Sequence, residues 1–130
     1  MLPAKILLIN RHAAFTAGLV AYLSLHAELK VVATAKDGER GLRAAEALWL
    51  DVILVDLDPR VISGLPTIRH LRALRPATGI IALSVYDQDG YQRAALLAGA
   101  DGFVAKTRVH EDLVPTIQRV VQFRLTDPGY

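Results

Sequence analysis

The chain has no cysteine, which excludes a disulfide framework and any thiolate metal site. It contains no apolar stretch near the roughly 20 residues that a membrane-spanning helix needs. Its opening residues, Met1-Leu2-Pro3-Ala4-Lys5, lack the form of a signal peptide. Neither sign of charge dominates: 15 Lys and Arg stand against 13 Asp and Glu, a net +2, so charge alone makes no case for nucleic acid. Internal repeats and low-complexity segments are also missing. The expectation is one soluble, cytoplasmic domain. A length of 130 residues suits a single core that needs no covalent staples.

What the chain does have is apolar sequence, 52% of its residues. Five short runs stand out, at residues 5–9, 30–35, 51–55, 79–83 and 102–105. Most are continuously apolar rather than alternating, as strands are when both faces of a parallel sheet are covered. Between them lie segments with helical spacing, at 14–26, 39–48, 65–74, 91–98 and 109–123. Gly99 is a stop signal for the fourth. Pro115 is tolerable if the last helix starts near Glu111 or Asp112, and costly if it starts earlier. The alternation βαβαβαβαβα predicts an α/β/α sandwich with right-handed crossovers. Residues 1–123 form the expected domain. Residues 124–130, Arg-Leu-Thr-Asp-Pro-Gly-Tyr, carry turn chemistry and read as a tail or the start of a linker.

Polar residues gather where each strand ends: Asn10, Arg11 and His12 after the first, Asp56 and Asp58 after the third, Ser84 after the fourth and Lys106 after the fifth. In open α/β sheets the functional crevice lies at the carboxyl ends of the strands. Loops begin with polar residues for no functional reason as well, but agreement across these positions is harder to set aside.

These blocks resemble the receiver domain of two-component response regulators, most closely the branch with a C-terminal helix-turn-helix output domain. Asp56-Leu57-Asp58-Pro59-Arg60-Val61-Ile62-Ser63-Gly64 is similar to the family's stretch from phosphoacceptor to glycine. Leu83-Ser84-Val85 is similar to its switch hydroxyl. The block from Ala98 to Lys106 is similar to the one ending in its lysine, with Phe103 at the aromatic switch position. The resemblance implies a flavodoxin-like (βα)5 fold with sheet order 2-1-3-4-5. It implies Asp56 as phosphoacceptor, Lys106 as the cation on the phosphoryl group, Ser84 and Phe103 as switch residues, and a metal-binding carbonyl from Asp58. It also implies a histidine kinase as donor, homodimerisation, and DNA contact only through an output domain outside this chain.

One departure dominates. Where the family carries an acidic pair that holds Mg²⁺, this chain has Asn10 and Arg11. Magnesium wants hard, mostly anionic oxygen ligands, and arginine offers only donors and a fixed positive charge. A cation a few ångströms away repels it by several kcal/mol at an effective dielectric constant of about 20. Magnesium binding is therefore expected to be weak or absent, with no cofactor, and phosphorylation weak or absent with it. Arg11 is expected to pair with Asp56 or Asp58 and fill the metal position. A second departure is Pro59-Arg60, where the family usually has Met-Pro.

Other residues take plainer readings. His12 suits the start of a helix. His26, His70 and His110 lack metal-ligand spacing and read as surface. Trp49 is expected to pack at the rim of the sheet, and Arg69, Arg72 and Arg75 to form a solvated face. Two other functions compete with signalling. A small phosphatase or hydrolase could use Asp56 as nucleophile, but no acid–base pair accompanies it. A nucleotide- or flavin-binding module should have a glycine-rich first loop, which Asn10-Arg11-His12-Ala13-Ala14 is not, although Arg11 and Lys106 could bind a small anion. The chain is not expected to be an enzyme.

Overall fold

A computed structural model of the chain describes residues 2–58, 64–85 and 89–126. Five strands alternate with five helices: β1 (Ala4–Ile9), α1 (Ala13–Leu23), β2 (Leu29–Ala35), α2 (Gly38–Ala47), β3 (Val52–Asp56), α3 (Gly64–Leu74), β4 (Gly79–Ser84), α4 (Asp89–Ala98), β5 (Gly102–Ala105) and α5 (Val109–Thr126). A short 3₁₀ turn, Lys106–Arg108, joins β5 to α5. The strands are parallel in the order β2-β1-β3-β4-β5, as the resemblance implied.

Alternating side chains leave opposite faces of a strand, so each central strand feeds two cores. Ile6 and Leu8 of β1, Val52 and Leu54 of β3, and Ile81 and Leu83 of β4 pack with α1 and α5. Their neighbours Leu7, Ile9, Ile53, Val55, Ile80 and Ala82 pack with α2, α3 and α4. Burial of both faces is why these strands read as unbroken apolar runs.

The register sets the polar ends level with one another. Ile9 pairs with Val55, Asp56 with Leu83, and Ser84 with Ala105. Asn10, Asp56, Ser84 and Lys106 therefore emerge together at one end of the sheet.

Four expectations need correction. Helix α5 begins at Val109 and runs to Thr126, so Pro115 lies inside it rather than in its first turn. The proline forgoes a backbone bond at a typical cost of about 3 kcal/mol. Burial of Val109, Leu113, Val114, Ile117 and Val120 along the same helix offsets that loss. Trp49 is 80% exposed and does not pack at the rim. Arg72 and Arg75 are not on a solvated face. The Arg72 guanidinium donates to the carbonyls of Gly99, Arg75, Pro76 and Thr78 and to Asp101 Oδ2 at 2.6 Å. Arg75 donates to the carbonyls of Ala45 and Glu46. Finally, His26 is half-buried and stacks edge-on against Tyr22, as does the exposed His110.

Asp101 also pairs with Arg124 and accepts from the backbone of Ile80. This carboxylate thus ties the last turns of α3 and α5 to the start of β4. The tie carries α5 past Phe123.

Gly99 ends α4 with φ at +123°, and a Cβ there would lie 2.9 Å from Cβ of Arg72. Gly99→Ala is expected to cost about 1–3 kcal/mol, the usual range for forcing an L side chain into such a conformation. Urea denaturation followed by circular dichroism measures it. An unchanged midpoint would mean that α4 can end in another way.

Candidate functional site

Asp56 closes β3 with its side chain only 5% exposed. Lys106, the first residue after β5, brings Nζ to 2.6 Å from Asp56 Oδ1. The contact is an ion pair off the alignment of a hydrogen bond. The ammonium also lies 4.7 Å from the centre of the Phe15 ring of α1, a cation–π distance. Ser84 is fully buried at the end of β4. Phe103 is half-buried within β5 and packs against the core beneath α2–α4.

Asn10 is 4% exposed. Its Nδ2 donates to the carbonyl of His12 at 3.1 Å and to Thr16 Oγ1 at 3.0 Å. Its carbonyl Oδ1 is buried with no hydrogen-bond partner. Because the His12 carbonyl can only accept, the amide orientation is fixed, and Oδ1 turns away from α1.

Arg11 corrects an expectation. It is exposed and makes no ion pair with Asp56 or Asp58. Lys106 takes the first carboxylate, and His12 Nε2 stands 3.5 Å from Asp58 Oδ2. A guanidinium buried beside Lys106 would lose its hydration and face a like charge, so it stays in water. His12 does precede α1, in extended backbone, but its side chain makes no cap and turns to Asp58 instead. Pro59 and Arg60 lie outside the described residues.

A cleft of about 320 Å³ opens beside Asp56, on the β2 side of the sheet. Asn10, Arg11, Asp56 and Asp58 line it, and Lys36, Asp37 and Arg40 complete the wall. Sequence reasoning passed over Lys36 and Arg40. Lys36 follows directly on β2, so the strand-end rule that selected the other positions also selects it. Among the described residues no three His, Asp or Glu side chains converge as metal ligands.

Residues 6–118 match the response regulator receiver domain. The chain belongs to that family. The receiver is 35% identical over 117 residues to the nitrate/nitrite response regulator protein NarL of Escherichia coli (strain K12), covering 90% of this chain and 54% of the relative. It is 30% identical over 118 residues to the transcriptional regulatory protein DegU of Brevibacillus brevis, covering 91% of this chain and 50% of the relative. The crystal structure of a two-component response regulator of the LuxR family from Aurantimonas sp. SI85-9A1 superposes with a TM-score of 0.87 at 25% identity, covering 92% of this chain and 86% of that one. The receiver spans about half the length of these curated relatives. It is a domain of two-component signalling rather than an enzyme, and the hydrolase and nucleotide-module readings fall away as accounts of the whole chain. No helix among the described residues is long and apolar enough to cross a membrane.

Proposed function

We propose that this receiver signals through protein–protein contacts with Asp56 at the phosphoacceptor position, and that its Mg²⁺-assisted phosphorylation is weak or absent. The observation that carries the reading is the donor set around Asp56. Magnesium demands near-octahedral oxygen ligands, usually with carboxylates among them. Here the positions after β1 offer one neutral amide oxygen, Asn10 Oδ1, and the guanidinium of Arg11. The Asp56 carboxylate is already neutralised by Lys106 and the Asp58 carboxylate faces His12. These residues do not suit a divalent cation.

The Asp56–Lys106 ion pair follows the family pattern, so the impairment rests on Asn10 and Arg11. The same pair holds β3 to β5 with no phosphoryl group. The receiver then rests in one state, and its surface rather than a phosphorylation event carries the message. Within a longer regulator its partners are an output domain that binds DNA, a histidine kinase and a second copy of the chain. Leu96 and Leu97 of α4, exposed by 45% and 82%, support a protein contact on that side.

The test is acetyl phosphate with Mg²⁺, read by intact mass. The wild type is expected to label only to a few per cent, Asp56→Asn not at all, and Arg11→Asp to label severalfold more than wild type, because one anionic ligand returns. Stoichiometric labelling of the wild type would overturn the reading.

A further inference from the structure

Charge pairing around the cleft leaves a remainder. Three carboxylates line it: Asp56 has the Lys106 ammonium at 2.6 Å, Asp37 has the Arg40 guanidinium at 2.9 Å, and Asp58 has the His12 imidazole at 3.5 Å. Two lining cations, Arg11 and Lys36, have no ion-pair partner among the described residues. The mouth of the cleft therefore carries unmatched positive charge beside a pocket large enough for a small ion.

Two further features shape what would fit. Helix α2 starts at the cleft wall, where Asp37 caps only the N–H of Arg40. The other N–H groups of a first turn have no partner within their own helix. Its backbone comes in close at Gly38, where a Cβ would fall 2.1 Å from Thr67 Oγ1. Asn10, also in the lining, keeps a buried carbonyl oxygen without a donor, and the carboxylates of the same lining can only accept.

We propose that this cleft binds a small oxyanion that still carries a proton, namely inorganic hydrogen phosphate, without a divalent cation. Arg11, Lys36 and the first turn of α2 take its negative oxygens. Its O–H is the donor that Asn10 Oδ1 lacks. Sulfate has the same shape and no proton near neutral pH. A phosphate monoester has lost most of its second proton at pH 7. Both would set bare oxygens against the acceptor wall. The site adjoins Asp56 but involves no phosphoryl transfer, so it stands or falls separately from the phosphorylation reading.

Isothermal titration calorimetry at pH 7 without divalent cations tests this, with inorganic phosphate, sulfate and phenyl phosphate as the probes. Phosphate is expected to bind with a Kd of about 1 mM or tighter, and sulfate and phenyl phosphate at least about tenfold more weakly. Arg11→Gln and Lys36→Gln are each expected to weaken phosphate about tenfold, the usual scale of one charge-assisted hydrogen bond. Arg43→Gln removes the same charge from the exposed side of α2, outside the cleft lining, and is expected to leave the affinity unchanged. The intact mass after titration stays that of the unmodified chain. The proposal is overturned by a phosphate Kd above about 10 mM, by equal affinity for sulfate, or by an Arg43→Gln loss as large as that of Arg11→Gln.

Discussion

Lys106→Ala is expected to destabilise the receiver by about 3–5 kcal/mol, the scale seen when one member of a buried ion pair is removed. The Lys106 and Asp56 side chains are only 12% and 5% exposed. The truncation strands a carboxylate where water reaches it poorly, and it forfeits the ammonium's contact with the Phe15 ring. The size of the effect comes from the charge left behind rather than from the net worth of the pair. Adding Asp56→Asn to Lys106→Ala is therefore expected to recover part of the loss, since a neutral amide needs no counter-charge. Urea denaturation of the four chains in a double-mutant cycle gives the coupling. A Lys106→Ala loss below about 1 kcal/mol would place the pair with solvent-screened surface bridges and remove its role in holding β3 to β5.

Asp101→Ala is expected to cost about as much, at the other end of the sheet. One carboxylate there serves Arg72, Arg124 and the backbone N–H of Ile80. Burial pushes the Arg72 guanidinium below its usual pKa; Asp101 opposes that shift, and Arg124 adds to it by like-charge repulsion. Without Asp101, two half-buried guanidiniums face each other and an amide at the start of β4 loses its acceptor. A loss of about 3–5 kcal/mol follows from an uncompensated buried charge. Asp101→Asn keeps an acceptor for Ile80 and is expected to lose less. Thermal or urea unfolding separates the two variants. Equal losses would mean that the hydrogen bond to Ile80 contributes nothing.

The strands were legible because both of their faces are buried, which leaves continuous apolar runs such as Ile6-Leu7-Leu8-Ile9. The site was legible because strand ends carry the chemistry in this architecture, so Asn10, Asp56, Ser84 and Lys106 could be named by position. Which charge meets which could not be read. Lys106 reaches Asp56 across 50 residues of sequence and Arg72 reaches Asp101 across 29, and no periodicity encodes such distant pairs. Arg11 illustrates the same limit: its type identified the pocket as atypical, but Lys106 and His12 had already taken the carboxylates offered to it. Arg72 and Arg75 looked like a solvated stripe because their apolar stems and their many backbone acceptors leave no mark in composition. Trp49 misled in the opposite direction, since size and hydropathy predict burial for a ring that the fold leaves in water.

The Arg72–Asp101–Arg124 tie has a mechanical meaning. It fastens α5 near its last turn, at the amino-terminal edge of β4 and β5, whereas Asp56 and Lys106 lie at the carboxyl edge. The last turn of α5 is thus mounted at the far side of the domain from its chemistry. A change at Asp56 must travel the length of a strand, about 15–20 Å at 3.3 Å per residue, before it moves that mount. With Val109 buried at its start and Arg124 tied to Asp101 near its end, α5 is held at both ends, and Asp101→Ala would free the second of them.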